Sequence, residues 1–437
     1  MAGGGVFTTH NKVLPGAYIN FISKARAIGT IGERGTVIMP WYGDFGKTGE
    51  IIQLDSESFQ KDCSKIIGYS YTDDEVLPLR EVFKGAKIVK LFRADTGQKA
   101  SAKIGNITAT ALYKGERGNK ITVSISKDVD GNSYTVETYL DGSLKDTQSI
   151  AKSSELIDND YVEFSGSGEI TVSAGVTLTG GQNGDFSGDD YEKFLSLAES
   201  EDFTTIIYPK DDNTTKSLFA QFTKRLRQEE GYKVTCVLHD FDANFEGVLN
   251  VVTKCVPRGD VLANGLVYWV AGMTASANIN ESLTNKLYDG ELDLIVDNKK
   301  SQLSDYIQSG KFAFYGDKNG FRVLKDINSF TEVSTDKNKD FQSNQVIRVL
   351  DAIANDTAKI FNDYYLGKCQ NNSVGRDIFK TELVTYHQKL MALGAIENFL
   401  PEHITVSQGD EKGDVVVNEV VEVIGCMDKL YMSCVVA

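Results

Sequence analysis

The densest group of residues that could carry out chemistry is His239, Asp240 and Asp242, which follow an apolar segment, KVTCVLH, at 233–239. Polar side chains at a strand end can be catalytic in α/β proteins, because the carboxyl ends of parallel strands meet at one edge of the sheet. No nucleophile motif of the G-x-S-x-G type accompanies them in the sequence. An α/β enzyme that uses His239 and Asp240 is therefore only a weak hypothesis.

A second candidate is Gly46-Lys47-Thr48, which resembles the end of a phosphate-binding loop. Such a loop requires a glycine five residues before the Gly-Lys pair, and that position is Trp41. The helix that should follow is replaced by EIIQLDS at 50–56, whose pattern is extended. The segment is predicted to be a surface turn.

Asp128, Asp130 and Asn132 have the spacing that begins a calcium-binding loop. The required glycine falls two residues early, at Gly131, and the twelfth position is Tyr139 rather than glutamate. A hairpin turn explains the segment. The six cysteines and four histidines show no zinc-binding spacing, and the cysteines are predicted to be reduced thiols. The sequence therefore predicts no metal, no cofactor and no enzymatic activity.

The composition is that of an acidic globular protein. The 437 residues include 46 Lys and Arg against 61 Asp and Glu, a net charge of −15, with 41% hydrophobic residues. An acidic balance argues against sequence-independent nucleic-acid binding, which requires a cationic surface. The sequence shows no secretory signal and no apolar run long enough to cross a bilayer. Nucleic-acid binding and direct membrane insertion are therefore not expected.

Periodicity divides the chain into an α+β, multidomain arrangement. Residues 96–190 contain no Pro, Cys, Met, Trp or His, and alternate with period two between turn signals such as Asp141-Gly142. This pattern predicts an inserted all-β domain. Helical and extended segments alternate on both sides of it, which predicts a mixed α/β core with covering helices.

The C-terminal part is predicted to contain a hairpin with a type I′ turn at Asn319-Gly320, followed by two long helices at 345–365 and 376–395. His387 lies within the second helix, where a core-edge or interface position is expected. The segments 414–425 and 429–437 are both predicted to be β.

An ordered set of segments extends over essentially the whole chain. The segments are LPGAYINFIS (14–23), RGTVIMPWYGDFG (34–46), ALYKGERGNKITVSI (111–125), LTGGQNG (178–184), GFRVLKDINSFT (320–331), VIRVLDAIANDTAKIFNDYYLGK (346–368), GAIENF (394–399) and MDKLYMSCVV (427–436). Together they resemble the tail sheath proteins of contractile phages, defective prophages and phage-tail-like bacteriocins of Gram-positive bacteria. KDCSKIIGYS at 61–70 departs from the family, which often has a more regular helix there.

The resemblance implies a structural subunit that polymerises as stacked six-fold rings around an inner tail tube and contracts to drive the tube through a bacterial envelope. Its implied partners are further copies of itself, the tail tube protein, and baseplate and tail terminator proteins. The implied location is a virion or bacteriocin particle assembled in the host cytoplasm. Implied domains are an arm at 1–20, a core at 21–95 and 190–329, an outward β domain at 96–189, a tube-facing domain at 330–426, and an arm strand at 427–437.

Both arms are expected to lend strands to neighbouring subunits, with Gly3–Gly5, Gly16 and Gly425 as flexible points. Lys380 and Lys389 are expected to face the tube. The residues expected to form the inter-subunit strands are Tyr18, Ile19, Asn20, Phe21, Leu430, Tyr431, Met432 and Cys434.

A tail-associated receptor-binding or adhesin-like β protein is the other alternative, with the 96–190 region as its binding module. Fibres of that class usually contain repeats or trimeric coiled coils, and the sequence shows neither. The sheath hypothesis is therefore favoured over both the adhesin and the enzyme.

Overall fold

A computed structural model describes residues 32–129, 131–259 and 261–436 of the chain. These residues fold into two compact units. The larger unit contains residues 33–355 and 424–436, and the smaller unit contains Gly32 and residues 356–423. The division falls within one helix, between Asn355 and Asp356.

The described residues form eight α-helices. They are α1 (Ser56–Ile66), α2 (Leu77–Val82), α3 (Gly188–Ala198), α4 (Asn213–Gln228), α5 (Leu266–Ser276), α6 (Lys300–Gln308), α7 (Asn344–Ile360) and α8 (Ser373–Ala392). A π-helical turn, Phe361–Tyr365, continues α7.

The same described residues form twenty-two strands, arranged in one large and several small sheets. They are β1 (Thr36–Pro40), β2 (Ile51–Asp55), β3 (Ile88–Phe92), β4 (Lys99–Ile104), β5 (Ile107–Lys114), β6 (Ile121–Lys127), β7 (Tyr134–Leu140), β8 (Ser143–Ile150), β9 (Val162–Gly166), β10 (Ser173–Thr177), β11 (Thr205–Ile207), β12 (Thr235–His239), β13 (Val248–Val251), β14 (Lys254–Cys255), β15 (Leu294–Ile295), β16 (Lys311–Phe312), β17 (Phe314–Asp317), β18 (Gly320–Val323), β19 (Ile396–Glu397), β20 (Ile404–Gln408), β21 (Val415–Glu419) and β22 (Glu422–Val423).

A seven-stranded sheet in the order β16-β13-β12-β11-β1-β3-β2 forms the centre of the larger unit. All its neighbouring pairs are parallel except β2 with β3. Within β1, Val37 and Met39 pack in the core that contains α1, α2 and α5, whereas Ile38 packs in the core that contains α3 and α4. The sheet is thus covered on both faces, which explains why its strands are continuous apolar runs.

Helix α5 packs against α2 at unusually close range. All residues from Leu266 to Ala275 are buried, so this helix is apolar on every side. A Cβ atom added to Gly272 would lie 2.1 Å from the Val82 carbonyl oxygen, and one added to Gly85 would lie 2.4 Å from the Gly272 carbonyl. Glycine at these positions allows the two backbones to approach each other.

The β domain between the two halves of the core consists of two sheets, β10-β6-β7-β8 and β4-β5-β9, which share one hydrophobic core. Its two ends meet, because Gln98 bridges Gln182 and the Thr96 hydroxyl donates to the Asp185 carbonyl at 3.1 Å. Phe45, from the segment after β1, packs in the same core, with its ring 5.0 Å from that of Tyr113.

The smaller unit is built on α8, the end of α7 and the antiparallel pair β20–β21. The Asp356 carboxylate accepts hydrogen bonds from the Tyr386 hydroxyl at 2.7 Å and from the Gly32 N–H at 3.1 Å. Burying these polar groups is tolerated because each has a partner. β19 pairs with β22 in the same unit.

The predicted mixed α/β fold with an inserted β domain is confirmed. Helix α1 includes the first six residues of the 61–70 segment, and Asp55 caps this helix by accepting from the Glu57 and Ser58 N–H groups. One local expectation was wrong. The hairpin pairs Asp317 with Gly320, so its turn residues are Lys318 and Asn319, and neither has the positive φ of a type I′ turn.

The segment expected to be β at 429–437 forms no strand with the described residues over its own described part, 429–436; because a strand requires a ladder partner, the expectation that it pairs with another subunit stays a prediction. Strands β4, β5 and β8 were not predicted. No helix in the described part of the chain combines the length and the apolar character needed to span a membrane.

Candidate assembly surfaces

The C-terminal segment from 427 to 436 exposes its apolar side chains to water. Met427, Leu430, Tyr431, Met432, Val435 and Val436 are between 78% and 103% exposed. Isolated exposed apolar residues are common, but six within ten residues are characteristic of a surface that a partner covers. Cys434 is exposed as well.

The order of residues in this segment favours a strand that is buried on one face. Leu430, Met432, Cys434 and Val436 would share one face, because successive side chains of a strand point to opposite sides. Burying each large apolar side chain yields about 1.5–3 kcal/mol, whereas ordering each backbone residue costs about 1–2 kcal/mol. A partner must therefore provide both apolar contacts and ladder hydrogen bonds.

The other residues expected to form inter-subunit strands, Tyr18, Ile19, Asn20 and Phe21, lie outside the described residues, as do Gly3–Gly5 and Gly16.

Helix α8 carries Lys380 and Lys389, the residues expected to face the tube. They are nine positions apart, so they lie about 180° apart around the helix axis. Both are partly exposed. The exposed face of α8 contains Val374, Ile378 and Thr381, together with Asp377. The two lysines therefore do not form one patch, a consequence of helical geometry that their positions in the sequence already implied.

His387 lies in the core of the smaller unit rather than at an edge. Its Nδ1 atom is 2.9 Å from the Leu383 carbonyl oxygen, and its Nε2 atom is 3.3 Å from a Glu419 carboxylate oxygen. The ring stacks on Phe399 with 5.0 Å between centroids. These contacts connect α8 to β21 and to the segment after β19.

Of the His239 group, only His239 is buried in the larger unit, whereas Asp240 and Asp242 are exposed. His239 ends β12 and is 3% exposed, with its Nδ1 atom 3.5 Å from an Asp211 carboxylate oxygen. Burial lowers the pKa of His239, and the Asp211 charge opposes this effect. The Asp240 N–H donates to the Val251 carbonyl at 3.0 Å, and Asp242 accepts from the Asn250 amide at 2.7 Å. The Asp240 backbone and the Asp242 carboxylate thus have structural partners within the larger unit.

The Gly46-Lys47-Thr48 segment is a turn, as predicted. The Lys47 ammonium lies 3.1 Å from the Glu50 carboxylate, and the Thr48 hydroxyl donates to Asp95 at 2.5 Å. Strand β2 follows, where a phosphate-binding loop would require a helix.

The Asp128 segment is the β6–β7 hairpin connection. The Asp128 carboxylate accepts from the Ser133 and Thr135 hydroxyl groups, each at 2.6 Å, and these hydrogen bonds lower its pKa. In the described part of the chain, no cluster of three or more His, Cys, Asp or Glu side chains is arranged to hold a metal ion.

Four family models match successive parts of the chain. They are described as the Gp18 tail sheath protein domain III N-terminal region (34–94), the phage tail sheath protein beta-sandwich domain (95–183), the phage tail sheath protein central domain (184–329) and the phage tail sheath C-terminal domain (336–437).

Full-length relatives show the same similarity. The phage-like element PBSX protein XkdK of Bacillus subtilis (strain 168) is 33% identical over 98% of this chain and 99% of its own length. The crystal structure of a sheath tail protein from Desulfitobacterium hafniense superimposes with a TM-score of 0.86 at 36% identity, covering 95% of this chain and 99% of that one. The contracted helical sheath of the anti-feeding prophage superimposes with a TM-score of 0.60 at 12% identity, covering 97% of this chain and 99% of that one, which shows a shared fold.

Proposed function

The chain belongs to the phage tail sheath family, and on this premise we propose that it polymerises as stacked six-fold rings around an inner tail tube and contracts to drive the tube through a bacterial envelope. Membership identifies it as a sheath subunit and a component of a phage or prophage particle. The ring arrangement, the contraction and the individual contacts are the proposal.

The exposed apolar segment at 427–436 is the observation that carries the proposal. A terminal strand that completes a neighbour's sheet joins two subunits through backbone hydrogen bonds and buries its apolar face. Leu430, Tyr431, Met432 and Cys434 belong to this segment. The same role is proposed for Tyr18, Ile19, Asn20 and Phe21 in the N-terminal arm. Contacts of this kind are heterologous: they form rings where the rotation closes and helical filaments where it does not, and a sheath of stacked rings would combine the two.

The proposed division has arms at 1–20 and 427–437, a core at 21–95 and 190–329, and an outward β domain at 96–189. The remaining region, 330–426, is proposed to face the tube. The continuous core of the β domain, together with its adjacent ends, supports its treatment as an insertion.

Contraction is proposed to be a change between two packings of the same subunits. Interfaces and packed cores move between discrete arrangements, and rigid bodies can rotate while flexible connections stay attached. The fold shared with a sheath in a contracted state supports this proposal. The energy would be stored during assembly and released when a baseplate triggers the change.

The proposed partners are other copies of the chain, the tail tube protein, and baseplate and tail terminator proteins. Neither nucleic-acid binding nor direct membrane insertion is part of the proposal. Assembly is proposed to occur in the host cytoplasm, before the particle is released as a virion or a bacteriocin.

Deleting residues 1–20 or residues 427–437 tests the arm mechanism. Each truncated chain should keep its folded core, measured by circular dichroism, because the described strands of the central sheet all lie between Thr36 and Phe312. Each should fail to form the tubes, rings or polysheaths that negative-stain microscopy should show for the full chain. Normal polymers from both truncated chains would refute the arm mechanism, and a full chain that stays monomeric at high concentration would refute the sheath proposal.

A further inference from the structure

A single buried side chain, that of Gln345, binds the residues just before the C-terminal segment to the rest of the larger unit. Gln345 is 3% exposed. Its Oε1 atom accepts from the Cys426 N–H at 3.0 Å, and its Nε2 atom donates to the Ile424 carbonyl at 3.1 Å. Nε2 also donates to the Asn280 carbonyl at 3.1 Å, so both amide protons and the amide oxygen are used.

The Gln345 amide satisfies the two backbone groups that a neighbouring strand would take. A strand pairs through the carbonyl of one residue and the N–H of another nearby, and Gln345 binds these groups on Ile424 and Cys426. Gly425 lies between them, so the flexible point expected there is held at both sides within this chain. A freely moving arm would therefore begin further along.

An ion pair extends the contact by two residues. The Lys325 ammonium lies 3.2 Å from the Asp428 carboxylate, and both side chains are about one-third exposed. Beyond Asp428, Leu430 and Tyr431 are each 87% exposed. The hydrogen bonds and the ion pair described here thus involve residues 424 to 428, although the Met427 side chain between them is already exposed.

Gln345 lies on a well-supported part of α7. One turn further, the Arg348 guanidinium donates to the buried Asp326 carboxylate. Asp351 receives two hydrogen bonds from the Arg227 guanidinium, both at 2.7 Å. Bidentate pairs of this kind fix orientation as well as distance. The amide of Gln345 is thus presented from a rigid support.

We propose that Gln345 is a positioning residue for strand exchange: it holds residues 424–426 on the subunit, with the Lys325–Asp428 pair, and so fixes where and in which direction the C-terminal segment leaves. The inference rests on the proposed function, because it gives the segment a defined exit toward one neighbour. The contacts that hold residues 424–428, which we call the hold, are the Gln345 hydrogen bonds and the Lys325–Asp428 ion pair. They lie within a single chain, so they can be measured without assembly.

The hold is tested by hydrogen exchange on the full chain at a concentration where it is monomeric. In Gln345→Met, which keeps length and removes the amide, exchange of the Cys426 N–H should accelerate about tenfold or more, as expected when a buried hydrogen-bond partner is lost. Exchange in β12 should not change. Gln221→Met is the matched control, because Gln221 is exposed on α4. Unchanged exchange at Cys426 would overturn the proposal.

A second pair of variants changes the partly exposed Lys325 and Asp428, so the test does not depend on whether Gln345→Met folds. Lys325→Glu and Asp428→Lys should each accelerate exchange in the 424–430 peptide, and the double variant should restore the wild-type rate, because it re-forms the pair with reversed charges. Single and double variants with equal exchange rates would overturn the role of the ion pair in the hold.

The positioning role is tested by electron microscopy of the same proteins. Gln345→Met should form at least about fivefold fewer ordered polymers than wild type, whereas Gln221→Met should match wild type. Faster exchange at Cys426 with normal polymers would overturn positioning and leave the sheath proposal intact. A wild-type chain that forms no polymers would remove the sheath proposal and the positioning role together, while the exchange result would still decide the hold.

Discussion

Individual buried polar residues hold the larger unit together through partners that are distant in the sequence. Arg227 and Asp351 are 124 positions apart and form two hydrogen bonds of 2.7 Å. Such a pair contributes little net stability, yet removing one partner is costly because the other charge stays buried. These pairs therefore determine which elements lie together more than they raise the overall stability.

His239 should make the stability of the larger unit depend on pH. Burial lowers its pKa in the folded chain, with Asp211, Lys216 and Asp240 as the charged groups around it. As the pH falls below the pKa of about 6.5 of an exposed histidine, the unfolded chain takes up a proton that the folded chain resists. The folded state should therefore lose stability between pH 7 and pH 5.

The measurement is urea unfolding of wild type and His239→Gln at several pH values. The free energy of unfolding of the wild type should fall more steeply with decreasing pH, by at most about 1.4 kcal/mol per pH unit for a single group. At pH 8 the histidine is neutral in both states, so the comparison there isolates the effect of packing. Parallel pH profiles for the two proteins would contradict the prediction.

The sequence identifies His239 and Asp240 as a polar group at the end of a strand, but it does not specify which residues they contact. Asp211 is brought to His239 by the pairing of β11 with β12, which a sequence pattern does not specify. Gln345 is a stronger example, because a glutamine within an amphipathic helix is usually exposed. Its burial depends on contacts with Asn280 and with Ile424, which no local signal predicts.

At the scale of elements, the strands and helices with strong periodicity could be predicted from the sequence. Strands β1, β3 and β12 are apolar runs that end at clear turn signals. Strand β8 was missed because most of its residues, SLKDTQSI, are polar and exposed. It is held as a strand by its ladder with β7 rather than by an apolar face.

The close contact of α5 with α2 predicts a marked effect for Gly272→Ala. The added methyl group would fall 2.1 Å from the Val82 carbonyl oxygen, so the two backbones must move apart. Overpacking of this kind typically costs about 1–3 kcal/mol, more than the ~1 kcal/mol that alanine gains in helix propensity. Chemical denaturation should show a less stable protein.

Gly188→Ala is the control for this substitution. Gly188 begins α3, and an added Cβ atom there would meet no atom within 4 Å. The free energy of unfolding should change by less than about 0.5 kcal/mol. Equal effects of Gly188→Ala and Gly272→Ala would mean that the α2–α5 contact is looser than the geometry indicates.

Helix α8 predicts different outcomes for its two lysines. Because Lys380 and Lys389 are on opposite sides of the helix, one flat partner surface can contact only one of them directly. Charge reversal of that one, to glutamate, should abolish sheathed tubes and leave polysheath formation intact, as seen by electron microscopy with purified tail tubes. Reversal of the other should affect neither. Normal sheathed tubes with both variants would exclude both lysines from the tube contact.

At the scale of the whole molecule, the β domain should be separable from the core. Its ends are joined by the Gln98–Gln182 bridge, so a short Gly-Ser link can replace residues 99–181 without rerouting the chain. Phe45 would lose its contact with Tyr113 and should be changed to serine at the same time. The shortened chain should fold and form polymers, as measured by circular dichroism and negative-stain microscopy.

The comparison protein for this prediction is the full chain that carries only Phe45→Ser. It should be less stable than wild type, because a buried aromatic side chain is lost; such losses commonly cost about 3–5 kcal/mol when phenylalanine is reduced to alanine. If the shortened chain fails to fold while Phe45→Ser folds, the domain is an integral part of the core, and its description as an insertion is wrong.

The large-scale organisation could be predicted from composition and from the family resemblance, since the absence of Pro, Cys, Met, Trp and His over 96–190 marks the β domain. The partner of the C-terminal segment could not be predicted in the same way. A β-strand requires a second segment that supplies its ladder hydrogen bonds. The sequence from Leu430 to Val436 specifies the first segment and does not identify the second.

The hold at Asp428 has a consequence for the distance between subunits. Leu430 follows Asp428 by two residues, so an extended chain can separate them by only ~7 Å. A neighbour that accepts the strand from Leu430 onward must therefore present its edge almost against the donor. Such a short tether would act as a pivot, about which two subunits can turn but past which they cannot slide.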